Sequence, residues 1–201
     1  MFKERKIILF GEDLKKPIRL QIETAEKLSV AAVIFGSGSA DIEATLDKKE
    51  GELNLLIVHI SDEQPANIKI SVRHAAPRTK SDVKMRSVLS GRAQTDLDGL
   101  IHIDRKADEA GARLFAEAML FGNEARINFL PAMEVETKNV TASHGATIET
   151  ADPEKYFYLG SRGLPENEIK HVLAESFISP LYELADEETA ARVAEKIRSI
   201  L

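Results

Sequence analysis

Apolar residues alternate with polar ones at Ile18, Leu20 and Ile22, and again at Ile68, Ile70 and Val72, the period of a strand with one buried face. Elsewhere the apolar residues are continuous, from Val30 to Phe35 and from Leu53 to Ile60, as in strands covered on both sides. Shorter signals at Val83/Met85, Leu100 to Ile103, Ile127/Phe129 and Met133/Val135 extend the series. None has a 3.6-residue period, and no helix-length crossover separates them, which excludes a doubly wound α/β fold. Asp98-Gly99 is the one obvious two-residue hairpin signal, so a meander of tight hairpins is poorly supported. A sandwich and a β-solenoid both stay open, because no fixed-period repeat decides between them.

The pattern changes near residue 152. Asp152-Pro153-Glu154 opens a helix, with Asp as N-cap and Pro at the first helical position, and Gly163 suits its end. Pro165-Glu166 opens a second helix whose apolar stripe is Ile169, Val172, Leu173 and Phe177. His171 falls off that stripe and is expected to face solvent. A third helix starts at the Asp186 cap, with Glu187 and Glu188 in its first turn and Val193, Ala194 and Ile197 on its stripe. The chain therefore divides into a β part, residues 1–150, and a helical part, residues 151–201.

Composition narrows the chemistry. Hydrophobic residues are 43% and charged residues 30%, as in an ordinary globular protein. The net charge of −6 offers no basic face, so nucleic acid is not an expected partner. The N-terminal run Ile7-Ile8-Leu9-Phe10, between Met1-Phe2-Lys3-Glu4 and Gly11-Glu12-Asp13, is too short for a signal h-region, and no run approaches a membrane span. A cytoplasmic protein is expected. There are no cysteines, which excludes disulfides, thiolate metal sites and a cysteine nucleophile on this chain.

Few residues are placed for catalysis. Gly36-Ser37-Gly38-Ser39 lacks the helix that a phosphate cradle needs and reads as a turn. His102 and Asp104 share a strand face and read as a surface pair. Val140, Ala142, His144, Ala146 and Ile148 share parity, so an unbroken strand puts His144 on an apolar face between small residues, beside Gly145. Two readings follow: a core histidine with one hydrogen bond, or an imidazole in a shallow recess open to a metal or partner group.

Val140-Thr141-Ala142-Ser143-His144-Gly145-Ala146-Thr147, followed by Tyr156-Phe157-Tyr158-Leu159-Gly160-Ser161-Arg162-Gly163-Leu164, resembles the SufB/SufD family of iron–sulfur cluster assembly proteins. His74 with Thr79-Lys80-Ser81, and Gly99 to Ile101, look like further family segments. The resemblance implies a mostly β fold, a right-handed parallel β-helix with a small C-terminal helical domain. It implies a non-enzymatic scaffold that docks a SufC-type ABC ATPase on its C-terminal helices. It also implies pairing with a SufB-like subunit or with a second copy of itself. His144 aligns with the family's cluster-proximal histidine. Tyr156, Phe157, Arg162, Ile169 and Phe177 fall in the region facing the ATPase. Ala142 stands where the family often has Cys, which makes the chain SufD-like: it binds no cofactor alone, and an iron–sulfur cluster would sit at an interface with a partner. Two other readings are a stand-alone homodimeric β-helix module and a β-solenoid enzyme acting on polysaccharides. The 5% aromatic content without Trp disfavours the enzyme.

Overall fold

The computed structural model describes residues 3–11, 15–63, 65–150 and 152–201. Met1, Phe2, Glu12 and Asp13, part of the N-terminal stretch read above, lie outside the described residues. Eleven strands come first: β1 Lys3–Phe10, β2 Ile18–Gln21, β3 Glu26–Phe35, β4 Gly38–Leu46, β5 Glu52–Ser61, β6 Pro65–His74, β7 Lys80–Ser90, β8 Gln94–Ile103, β9 Gly111–Phe121, β10 Arg126–Val135 and β11 Thr141–Thr150. Three helices follow: α1 Pro153–Ser161, α2 Glu166–Phe177 and α3 Glu187–Ile200. Successive strands go to alternate sheets. One has the order β1-β3-β5-β7-β9-β11, the other β10-β8-β6-β4-β2, and every pairing is parallel. The chain is a parallel β-solenoid with C-terminal helices, and the sandwich is excluded.

The two sheets face each other across an aliphatic interior built from residues such as Leu28, Ile42, Ile57, Ile68, Met85, Leu97 and Leu114. Their outer faces differ. On the six-stranded sheet, Ala31, Val33, Leu56, Val58 and Ile60 point outward and are buried by Ile169, Leu173, Ile178, Val193 and Ile197 of the helical part. Strands β3 and β5 are apolar on both faces there, which is why they read as continuous runs. The five-stranded sheet turns its outer face to water, and β6 alternates buried with open positions along its length. Burial on both faces thus applies to one sheet only, and the strict alternation at Ile68, Ile70 and Val72 marks the other.

The turns of the solenoid vary in length. Lys3 pairs with Glu26, 23 residues on, while Gln94 pairs with Arg126, 32 residues on. One corner nevertheless repeats. Ala25, Glu50, Arg78 and Glu109 all have positive φ, between 50° and 64°, and each precedes a strand of the six-stranded sheet. Each donates its N–H to the turn above, to Lys49, Pro77, Asp108 and Asn139 respectively. The repeat lives in backbone conformation, and three residue types, Ala, Glu and Arg, carry it.

Asp98-Gly99 is not a hairpin; it lies within β8. A Cβ at Gly99 would sit 3.0 Å from Leu114 Cδ2 and Met85 Cε, so the glycine makes room for two interior side chains. The Asp152 and Asp186 caps are as expected, accepting from Glu154 N and Thr189 N at 2.8 Å. The Thr189 bond also holds the Asp186 carboxyl below its ordinary range. In α2 the stripe is corrected: Val172 is 44% exposed, and Ala174 is fully buried in its place. His171 is partly buried, not solvent-facing, and its Nε2 has no hydrogen-bond partner among the described residues. Arg86 ties the helices to the sheet: it bonds Glu117 at 3.0 Å, donates to the Phe177 carbonyl at the end of α2, and lies over the Phe177 ring.

Candidate functional site

His144 lies on β11, the last strand of its sheet. Ala142, His144 and Ala146 sit beside Ala112, Leu114 and Ala116 of β9, which are buried in the interior. His144 therefore has the parity of an inward position. Among the described residues no further strand covers β11, and the imidazole is exposed at the mouth of the last turn. The core-histidine reading fails on this point. Among the described residues the ring makes one hydrogen bond: Nδ1 lies 3.0 Å from the carbonyl oxygen of Pro131, on the facing strand β10. A carbonyl only accepts, so Nδ1 carries the proton and donates. In the neutral ring Nε2 is then left with a lone pair. That is the arrangement of a metal-ready histidine, with one nitrogen oriented by a backbone carbonyl and the other free.

Two contacts define the strand around it. Phe115 of β9 pairs in register with Gly145, and a Cβ on Gly145 would meet the ring at 3.0 Å. Pro131 pairs with Gly99, and the missing Cβ there is filled by Leu114. Neither Pro131 nor Phe115 has a sequence signal tying it to His144, since both meet it only through the register of the turns. Among the described residues no group of three or more His, Asp or Glu side chains is arranged to hold a metal ion. His144 on this chain is a single donor.

Two of the other histidines are buried in the fold. His74 is fully buried between Thr79 and Ser81. The Thr79 hydroxyl donates to the Ala76 carbonyl at 2.9 Å, so it accepts the His74 Nδ1 proton at 2.9 Å, and Nε2 accepts from Ser81 at 2.8 Å. His59, also buried, donates from Nε2 to Gly36 O at 3.1 Å. Burial lowers the pKa of both to about 4, opposed at His59 by the Gly36 bond. His102 does pair with Asp104, at 3.1 Å, but within a larger network: its Nδ1 meets Glu134 at 2.9 Å, and Arg73 grips both Asp104 oxygens at 2.9 and 3.0 Å. Arg73 holds the Asp104 carboxyl below its ordinary range. The network borders an open cleft of about 850 Å³. Arg73 and Glu134 come from the neighbouring strands β6 and β10, a juxtaposition set by register and invisible in the local sequence.

The five helical residues separate into two groups. Ile169 is 3% exposed, and Tyr156 and Phe177 pack against the same sheet-facing cluster, so these three hold the helices in place. Ile169 has no surface to offer a partner. Phe157 and Arg162 lie in the open, Phe157 at 80% exposure, and Arg162 stands over the ring of Tyr158, itself 57% exposed. Tyr158 was not singled out in the sequence, because an aromatic on a short helix reads equally as core.

Residues 17–177 match the family model described as SUF system FeS cluster assembly, SufBD core domain. An iron-sulfur cluster assembly SufBD family protein of Mycobacterium tuberculosis is 27% identical over 137 residues, 68% of this chain and 16% of that protein. A SufBD family protein of Staphylococcus haemolyticus is 30% identical over 107 residues, 53% of this chain and 23% of its own. The iron-sulfur cluster assembly protein SufB of Bacillus subtilis is 28% identical over 107 residues, with the same two shares. The chain matches less than a quarter of the length of each of these relatives.

Proposed function

Because the chain belongs to the SufBD core family of iron–sulfur cluster assembly proteins, we propose that it is a SufD-like scaffold that helps to hold a nascent cluster and catalyses no reaction itself. The observation that carries this reading is the His144 ring, with Nδ1 tied to the Pro131 carbonyl and Nε2 free at an exposed edge. An imidazole lone pair is a fitting donor to cluster iron. The chain has no thiol, so sulfur and the remaining ligands come from a partner. A SufB-like subunit or a second copy packs on the last turn. In support, β11 carries no Asp, Glu, Lys or Arg from Thr141 to Ile148, and Leu130, Val135 and Ile148 are exposed there at 57%, 44% and 51%. The reading places the protein in the cytoplasm. Among the described residues no helix is long and apolar enough to cross a membrane.

Replacing His144 with Ala tests the ligand role. Ferrous iron retained by the reconstituted complex falls roughly tenfold, the scale on which ligand environments change metal affinity. Thermal stability stays at the wild-type value, since the ring is exposed. Unchanged iron retention removes His144 from the site.

A SufC-type ABC ATPase docks, in this proposal, on the exposed side of α1 and its C-cap, which carries Phe157, Tyr158 and Arg162. Phe157→Ser lowers retention on the immobilised ATPase by at least about tenfold, as loss of an aromatic anchor does, and leaves the fold intact. Full retention by that variant moves the dock elsewhere.

A further inference from the structure

We propose that Phe115 is a positioning residue for the His144 imidazole, acting through Gly145. The inference rests on the reading of His144 as a donor, and its test reads the ring directly. Two consecutive side chains of β9, Leu114 and Phe115, leave the strand on opposite faces, and each enters a slot made by a glycine. Leu114 points inward and occupies the space over Gly99, the register partner of Pro131. Phe115 points outward, 39% exposed, and its ring closes on Gly145, the next residue after His144. A Cβ at Gly145 would lie 3.0 and 3.3 Å from Phe115 Cε1 and Cζ, tighter than ordinary contact.

The consequence is a three-point fixture. The hydrogen bond of 3.0 Å that orients His144 spans two sheets, from β11 to the Pro131 carbonyl on β10. Those strands are not register neighbours, so no ladder fixes their separation. Leu114, packed with Met85 over Gly99 of β8, spaces β9 from the sheet in which Pro131 of β10 pairs with that glycine. Phe115, pressed on Gly145, sets the pitch of β11 beside β9. Edge glycines make weak strands, and a neighbouring ring laid across the glycine restores the lost packing. Without that ring the peptide around Gly145 is free to turn, and the bond from Nδ1 to Pro131 breaks first. The donor nitrogen then changes. With Nδ1 released, the proton is free to move to Nε2, and the lone pair no longer faces outward.

The test uses the full chain with ¹⁵N-labelled histidine, reading the tautomer of each ring above pH 7.5 from its two-bond nitrogen–proton couplings, with His144→Gln to assign the signal. The wild-type His144 signal is that of the Nδ1–H form. Phe115→Ala converts most of the population to the Nε2–H form, while the signals of His59 and His74 stay unchanged and report an intact fold. Phe115→Leu, which still covers Gly145, keeps the wild-type form. Gly145→Ala, which displaces the ring from the other side, reproduces the loss. An Nδ1–H signal that persists in both Phe115→Ala and Gly145→Ala overturns the proposal. So does an equal loss in Phe115→Leu, which would make the effect one of general destabilisation. Iron retention by the reconstituted complex separates this result from the donor reading: a tautomer that responds to Phe115→Ala, together with ferrous iron retention unchanged by His144→Ala, sinks the donor role of His144 and keeps the positioning role of Phe115.

Discussion

Lowering the pH from 7.5 to 4.5 removes most of the stability of this protein, and His59 and His74 account for the larger part of the proton uptake. Both are fully buried and neutral, each with its ring nitrogens matched to protein partners. Burial lowers each from the ordinary 6.5 to about 4. In the unfolded chain the same groups bind protons near pH 6.5. Their contribution is therefore complete above pH 6.5 and is lost progressively as the pH falls towards 4. A shift of that size amounts to about 3 kcal/mol for each ring, against a total of roughly 5–15 kcal/mol for a domain. Urea titrations across the range are expected to show a slope approaching two protons. His59→Gln and His74→Gln each lower the midpoint at pH 7.5 and each flatten the slope by about one proton. A double variant with the wild-type slope would assign the acid lability to other groups.

The second large effect compares one residue type at two places in one sheet. Ile57 is completely buried in the middle of β5, whereas Ile148 is 51% exposed on β11. Ile57→Ala costs about 3–4 kcal/mol, through lost burial and the cavity left among unyielding neighbours. Ile148→Ala changes stability by less than about 0.5 kcal/mol. Unfolding midpoints of the two variants, with unchanged denaturant slopes, measure the contrast. Comparable losses would mean that the last turn is covered in solution as fully as the middle one.

Ile57 belongs to the run from Leu53 to Ile60, and that stretch was legible because its outer face meets helices instead of water. The alternation in β6 was legible for the opposite reason. Strand β9 was not: Gly111–Phe121 contains three alanines, Leu, Glu and Met, residues that favour helices, and only its place between β7 and β11 makes it extended. β1 was hidden as well, its first half being Lys3-Glu4-Arg5-Lys6. The coil of the solenoid left no periodicity because its turns range from 23 to 32 residues, and the corner that does repeat uses Ala, Glu, Arg and Glu. Pro131 broke the pattern of β10 into two pieces, although a proline is tolerated on an outermost strand. At the candidate site the parity of His144 was readable from its small neighbours. Its hydrogen bond to Pro131 and the ring over Gly145 were not, since both depend on which turn stacks on which.

The stacking also sets an order of assembly. Every ladder contact joins residues at least 23 apart, so the first closure is entropically the hardest and later strands add to an existing template. β11, like β1, β2 and β10, is templated on one side only, which places it among the labile edges of the molecule, where local opening is cheaper and amide exchange faster than in the middle turns. The residue proposed as a donor to iron thus rides on a rung that frays before the middle turns. A strand laid along that free edge would slow the fraying as well as supply the missing ligands.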